Sequence, residues 1–331
     1  MAMLGKRRPV RRPVVKEGGA SGMNAPTPER TGEAGLDILR LAHDGRGVAR
    51  DAVGKTVFVE QALPGERVSV GVHRSRKRFD EAHVREWLVR SPQRIEPPCP
   101  HYAQCGGCSL QHLALPAQRG HKRDVLVEQL ARQGLALDAP PVLLAGEGWG
   151  YRRRARIGVK LDAQGVVHLG FRARGSHHLV DIERCPVLVP ELEALLPSLR
   201  HCLEGLEAPR HVGHVELAAS EGDIAVVVRQ LRTHAADTRA WLAWAETHRV
   251  VLGLLEGRES PVLRWVGKSP RLSYTLKSGA HRLALAFEPG DFLQVNAEIN
   301  QALVTTALDW LQPQPTQRVL DLFAGVGNFS L

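Results

Sequence analysis

Between Leu36 and Val89 apolar residues recur at every second position in short runs: "LDILRLA", "GVAR", "KTVFVEQ", "RVSVGVH" and "AHVREWLV". That period turns one face of a strand into a core and the other toward water. Asp44-Gly45, Gly54-Lys55 and Pro64-Gly65 separate the runs as turns do. Short strands with regular turn signals predict a small β-barrel.

Beyond the barrel the period changes repeatedly. "KRDVLVEQLARQG" has helical spacing and ends at Gly134. "YRRRARIGVKLD" and "VVHLGFRARGSHHLVDI" read as long strands of a hairpin around Ala163-Gln164-Gly165. Residues 190–207 and 236–247 read as helices, and "DIAVVVRQL" and "RLALAFE" as strands. In "NAEINQALVTTALDWL" a helix is predicted with Asn296 as N-cap and Ile299, Leu303, Leu308 and Leu311 near one face. "QPQPTQ" breaks it, and "RVLDLF" reads as a buried strand running into "AGVGNFSL". There is no internal repeat. The expected organisation is a disordered basic arm (1–32), a β-barrel (33–92), a central α+β domain (93–290) and the start of an α/β domain (291–331).

Charge narrows the partner. The chain of 331 residues carries 44 basic and 35 acidic residues, a net +9, and its pI is about 9.7. Such a balance favours a polyanion, above all nucleic acid. Contact is expected at the arm (Lys6, Arg7, Arg8, Arg11, Arg12 and Lys16), at Arg74, Arg76, Lys77 and Arg78, and along Arg152–Arg156. Aromatic residues are only 5%, so phosphate contact should dominate over base stacking. No apolar run reaches the roughly 20 residues of a membrane span, and the N-terminus has no apolar segment of a secretory signal. The expectation is a cytoplasmic protein without membrane contact, whose thiols stay reduced.

Cysteine placement adds chemistry. Cys99, Cys105 and Cys108 fall within ten residues of "PPCPHYAQCGGCSLQH", and Cys185 in "DIERCPVL" is the candidate fourth ligand. Both Cys99 and Cys185 precede proline, as some iron–sulfur ligands do. Four thiolates suit a [4Fe–4S] cluster or tetrahedral zinc. The spacing favours the cluster, because Cys185 lacks the nearby partner of a zinc knuckle. Cys202, in "LRHCLEG", reads as a packing residue, and His101 and His112 as neighbours or surface residues rather than ligands.

The "VLDLFAGVGNF" motif sets a strand ending at Asp321 before a Gly-x-Gly turn, where backbone can approach a ligand. A lone Gly-x-Gly would also suit a nicotinamide fold, but Ser330 stands in place of the third glycine. No Gly-Lys-Ser/Thr follows, which excludes a P-loop. The Asp-x-Phe-x-Gly-x-Gly-x-Phe arrangement suits S-adenosylmethionine better.

Taken in order, the basic barrel, Cys-x5-Cys-x2-Cys with "SLQH", the distant Cys-Pro, "FLQVN" and "DLFAGVGNF" resemble the iron–sulfur RNA uracil-C5 methyltransferases. Within that family the resemblance is to the bacterial 23S rRNA branch with an N-terminal TRAM domain, and it covers about residues 33–331. It implies that Cys99, Cys105, Cys108 and Cys185 hold a [4Fe–4S] cluster and that Gln294, Phe323 and Asn328 contact S-adenosylmethionine. It further implies 23S rRNA as partner and a protein acting as a monomer. In the family a cysteine thiolate adds to uracil C6. No cysteine follows Cys202 here, so no catalytic residue is assigned, and the chain is expected to be a C-terminally shortened methyltransferase, inactive alone. The cluster is expected to be structural. An RNA-binding module without catalysis, a zinc protein, and an enzyme for another rRNA or tRNA uracil are the other readings. Radical S-adenosylmethionine chemistry, with its x3 and x2 spacing, fits poorly.

Overall fold

The structure, a computed structural model, describes residues 35–330; the expected arm lies outside the described residues. The N-terminal runs form six strands: β1 (Leu36–Asp37), β2 (Arg40–Leu41), β3 (Gly47–Arg50), β4 (Thr56–Glu60), β5 (Arg67–Ser75) and β6 (Phe79–Val89). They make one mixed sheet in the order β1-β5-β6-β4-β3-β2, with only β4–β6 parallel. Its two outer strands are consecutive in the chain, separated by Ile38 and Leu39. Alternation places Val57, Val59, Val68, Val70 and Ala82 in one core.

A loop carrying three cysteines leads to α1 (Leu115–Arg132). The helix ends as Gly134 promised: Gly134 adopts φ +76°, its N–H reaches Ala131 O, and the Leu135 N–H reaches Leu130 O. This paired capping satisfies two orphan carbonyls.

The centre is a seven-stranded sheet in the order β13-β12-β11-β10-β7-β8-β9. Its strands are β7 (Arg154–Leu161), β8 (Val167–Arg172), β9 (Leu179–Asp181), β10 (Val212–Ala219), β11 (Ile224–Gln230), β12 (Val251–Glu256) and β13 (Val262–Val266). Only β11 and β12 run parallel, joined through α4 (Ala235–Thr247). The predicted helix over 190–207 is two, α2 (Pro190–Glu193) and α3 (Leu196–Glu204). Pro197, lacking an N–H, fits a first turn and not a helix interior. With α4 these helices bury Leu192, Leu199, Leu203 and Trp241 in one core with Leu217 and Val226. The alternate residues Ala218 and Ala225 face a second core with the hairpin β14 (Ser273–Ser278) and β15 (His281–Ala286) and with α5 (Ala297–Leu311).

Two expectations fail near the end. Arg318–Phe323 is not a strand: Val319, Leu320 and Leu322 are exposed, and no described strand pairs with them. A buried parallel strand needs neighbours to take its backbone hydrogen bonds. The buried side of α5 runs through Asn300 and Val304, with Leu308 against the same core. Ile299 and Leu303 instead line an open apolar cavity of about 430 Å³ with Val142 and Leu144, and Leu311 is exposed. The N-cap is as expected, the Ile299 N–H donating to Asn296 Oδ1 at 3.0 Å.

Candidate functional site

The cysteine loop is fastened to the rim of the central sheet. Cys105 bridges Ala173, and the Gly106 N–H donates to Arg172 O at 2.9 Å. A Cβ at Gly106 would lie 2.9 Å from that same oxygen, so only glycine permits the approach. Arg174 donates to Tyr102 O (3.1 Å) and Cys108 O (2.6 Å), and its guanidinium stacks 4.6 Å from the Tyr102 ring centre. Cys185 comes from the turn before α2, its N–H donating to Glu193 Oε1 at 3.0 Å.

These tethers bring all four sequence-predicted cysteines to one cavity of about 220 Å³, walled by Phe171, Ala155 and Val187. Burial pushes the Cys185 thiol up to about 11 and raises Cys99 and Cys105, and the neighbouring sulfurs add repulsion. Burial and the neighbouring sulfurs disfavour ionisation of Cys99, Cys105 and Cys185 unless a positive centre offsets the charge. Among the described residues no group of three or more His, Cys, Asp or Glu is close enough to hold a single metal ion. Cys202 sits apart in α3, packed against the helical core, its thiol pushed up to about 12 by burial and by Asp237.

A second constellation lies next to this cavity through the backbone. The Arg152 N–H donates to Val187 O and the Val189 N–H to Arg152 O, while the Arg153 N–H donates to Val295 O. The segment after Cys185 and the "FLQVN" segment therefore meet on the same two residues. Arg153 is buried; its Nε donates to Gln294 O at 3.1 Å, and its guanidinium lies 4.6 Å from the Tyr274 ring centre. The Tyr274 hydroxyl donates to Asn328 Oδ1 (3.0 Å), and Asn328 exchanges amide hydrogen bonds with Asn300. Burial holds the Arg153 guanidinium below its usual range, and one of its terminal nitrogens has no partner among the described residues. Two of the three residues expected to meet S-adenosylmethionine, Gln294 and Asn328, are thus joined through Arg153 and Tyr274. Phe323 is not: it is 102% exposed, with φ +61°. The motif glycines do take the left-handed turn, Gly325 at φ +60° and Gly327 at +81°.

Sequence reasoning missed Arg153, Tyr274 and Asn300. Arg153 was hidden in a stripe read as RNA contact. In the structure that stripe alternates: Arg153 is buried, Arg154 pairs with Glu216 at 2.5 Å, and Arg156 is exposed. The other stripe is placed as expected, Arg76, Lys77 and Arg78 forming the exposed turn between β5 and β6, with Arg74 paired to Glu81 at 3.3 Å. His112 is no surface residue: it is 2% exposed and lies 2.5 Å from the Tyr102 hydroxyl. His101 Nε2 accepts from the Glu183 N–H at 3.2 Å.

Comparison with known proteins joins these features. The TRAM domain family matches residues 35–84. The fold is that of an RNA uracil-C5 methyltransferase: the Pyrococcus abyssi tRNA (uracil-54, C5)-methyltransferase, solved with S-adenosyl-L-homocysteine, superposes with a TM-score of 0.62 at 20% identity, over 89% of this chain and 69% of that one. The 23S rRNA (uracil(1939)-C(5))-methyltransferases RlmD of Halomonas elongata and Chromohalobacter salexigens are 57% and 58% identical, each matched over 100% of this chain and 70% of their own length. The chain belongs to the 23S rRNA (uracil(1939)-C(5))-methyltransferase family. Among the described residues no helix is long and apolar enough to cross a membrane.

Proposed function

We propose that the whole protein methylates C5 of a uracil in 23S rRNA in the cytoplasm, as a monomer, with residues 33–92 gripping RNA, 93–290 carrying a cluster and 291–331 opening the S-adenosylmethionine domain. The carrying observation is the convergence of Cys99, Cys105, Cys108 and Cys185 on one cavity, in a chain more than half identical to enzymes of that name. The consecutive outer strands of the N-terminal sheet support its reading as a barrel.

The donor set fits a [4Fe–4S] cluster. Tetrahedral zinc would need its sulfurs about 3.8 Å apart, and among the described residues no group of three or more His, Cys, Asp or Glu is close enough to hold a single ion. Bound there, the cluster supplies positive charge and a covalent tie between the 99–108 loop and the Cys185 turn. That turn orders Arg152, and through Arg153 the backbone of Gln294. The cluster's role is therefore positional.

Gln294 and Asn328 would hold S-adenosylmethionine, which supplies an electrophilic methyl group. Phe323 joins them once its segment is paired into a sheet. The reaction proceeds through a cysteine thiolate adding to uracil C6, forming a C–S bond and driving electrons to C5. C5 takes the methyl group as the donor's sulfonium S–CH3 bond breaks and S-adenosylhomocysteine leaves; a base then removes the C5 proton, and the C–S bond breaks to return the thiolate. None of the five cysteines here fits that thiolate: four line the cluster cavity and Cys202 is held protonated in a helix.

With labelled S-adenosylmethionine and unmodified 23S rRNA, residues 1–331 by themselves are expected to bind RNA without transferring methyl. Methylation by these residues would contradict the assignment. Loss of methylation at this uracil in cells lacking the whole protein would support its function, and unchanged methylation would overturn it.

A further inference from the structure

In the N-terminal sheet β5 and β6 pair Gly71 with His83. Their chain neighbours Val70, Val72, Ala82 and Val84 all pack into the core of that sheet. Alternation therefore turns Gly71 and His83 to the face away from the core. There His73, His83 and Arg85 are exposed, yet Gly71 beneath them is buried. A Cβ on Gly71 would lie 2.8 Å from Arg85 Nε, 2.8 Å from His83 Cε1 and 2.9 Å from His83 Nε2. The imidazole and the guanidinium lean over the bare backbone of β5, and a side chain at position 71 would push both away. The ring of His73 runs at 22° to that of His83, with 6.0 Å between their centres. Two exposed imidazoles of nearly the same orientation and one guanidinium thus share this patch.

The surroundings are positive. The same two strands are joined by the exposed turn Arg76-Lys77-Arg78. Nearby acids are already engaged: Glu81 binds Arg46 at 3.0 Å and Arg74 at 3.3 Å, and Asp80 binds Lys55 at 2.5 Å. Glu86, farther along β6, is exposed. From Phe79 to His83 β6 is extended, roughly 13 Å of strand, so one short oligonucleotide can reach both the turn and the histidines. Imidazole rings and guanidinium planes stack on nucleobases whose faces are free. Such planes beside a cationic turn complement a single strand with unpaired bases; a duplex would engage the turn alone.

We infer that this face of the N-terminal sheet binds a single-stranded segment of the RNA, one unpaired base stacking on the imidazole of His83 beside His73 and Arg85, with neighbouring phosphates at Arg76-Lys77-Arg78. This rests on the RNA reading above. Gly71 is a positioning residue, since its missing side chain is what lets His83 and Arg85 settle on the strand. The turn supplies affinity for any phosphate chain, and the histidine patch adds the requirement for an exposed base.

The test compares binding of a mixed-sequence single-stranded RNA octamer with binding of an abasic octamer carrying the same phosphates. Wild type should prefer the base-bearing RNA about tenfold. His83→Ala removes the ring, and Gly71→Ala displaces it without changing any charge. Each should cut the preference about threefold or more while leaving affinity for the abasic RNA unchanged. His83→Phe restores a stacking face and should keep the preference. Should Gly71→Ala fail to fold, the two variants of the exposed His83 decide the matter. Full preference retained in His83→Ala would overturn the inference. Loss of preference in His83→Phe equal to that in His83→Ala would also overturn it, because the ring nitrogens rather than its face would then hold the RNA. Equal wild-type affinity for both RNAs would overturn it and spare the RNA reading; no binding of either would overturn both.

Discussion

Asn300 and Asn328 face each other amide to amide, each Nδ2 donating to the other's Oδ1 at 2.9 Å. Asn300 is 1% exposed on α5, and Asn328 belongs to the glycine turn, so the pair fastens that turn to the helix. Asn300→Ala leaves the Asn328 amide short of both bonds. We expect a loss of about 1–3 kcal/mol, read from the urea midpoint, and weaker S-adenosylmethionine binding by calorimetry. An unchanged midpoint would show that the turn is held by other contacts.

Glu66, 1% exposed, accepts from Arg94, the Leu63 N–H and the Ser91 N–H, tying the N-terminal sheet to the segment before the cysteine loop. Burial raises its pKa, but Arg94 and the backbone donors outweigh it and hold the carboxyl below its usual value. A depressed carboxyl contributes its full stability above the unfolded value and loses it as pH falls through the folded one. Glu66→Gln should cost about 3–5 kcal/mol at neutral pH, because Arg94 is left without its countercharge. Its stability deficit relative to wild type should shrink below pH 4; a constant deficit would contradict this.

His112 is driven down to about 4 by burial and by the charges of Arg94 and Arg174. The unfolded chain takes up a proton near pH 6.5 that the folded chain refuses until about 4. Stability should therefore be complete above pH 6.5 and fall, by up to about 3 kcal/mol, as pH drops toward 4. Folded His112→Asn should lack this part of the acid-side slope in pH-dependent urea melts. The same slope in both proteins would assign the titration elsewhere.

The exposed turn Arg76-Lys77-Arg78 should act through phosphates alone. Replacing all three by alanine should lower the magnitude of the log-affinity against log-salt slope for single-stranded RNA by about 2. An unchanged slope would place the RNA on another face.

What was legible in the sequence followed from period and spacing. Alternation at Val57–Val59 and Val68–Val70, the Asn296 cap and the Gly134 stop depend on neighbours close in the chain, and each is found. The cysteine spacing named four residues that share a cavity although Cys185 is distant in sequence. Arg153 was misread because four arginines in "YRRRAR" look like one basic stripe, whereas a strand sends neighbours to opposite faces. Tyr274 and Asn300 carry no motif; only the packing of β14 and α5 on one core brings them to Asn328. The apolar run at Arg318–Phe323 has strand character, yet strand formation depends on partners that local sequence does not contain.

The central claim is that Cys99, Cys105, Cys108 and Cys185 jointly hold one iron–sulfur centre that positions Arg152 and Arg153. Iron and acid-labile sulfide should be quantified in anaerobically purified protein, alongside Cys105→Ala. About four of each per chain are expected in the wild type, and both should be lost from the variant together with folding stability. Stoichiometric zinc with neither iron nor sulfide in the wild type would contradict the account.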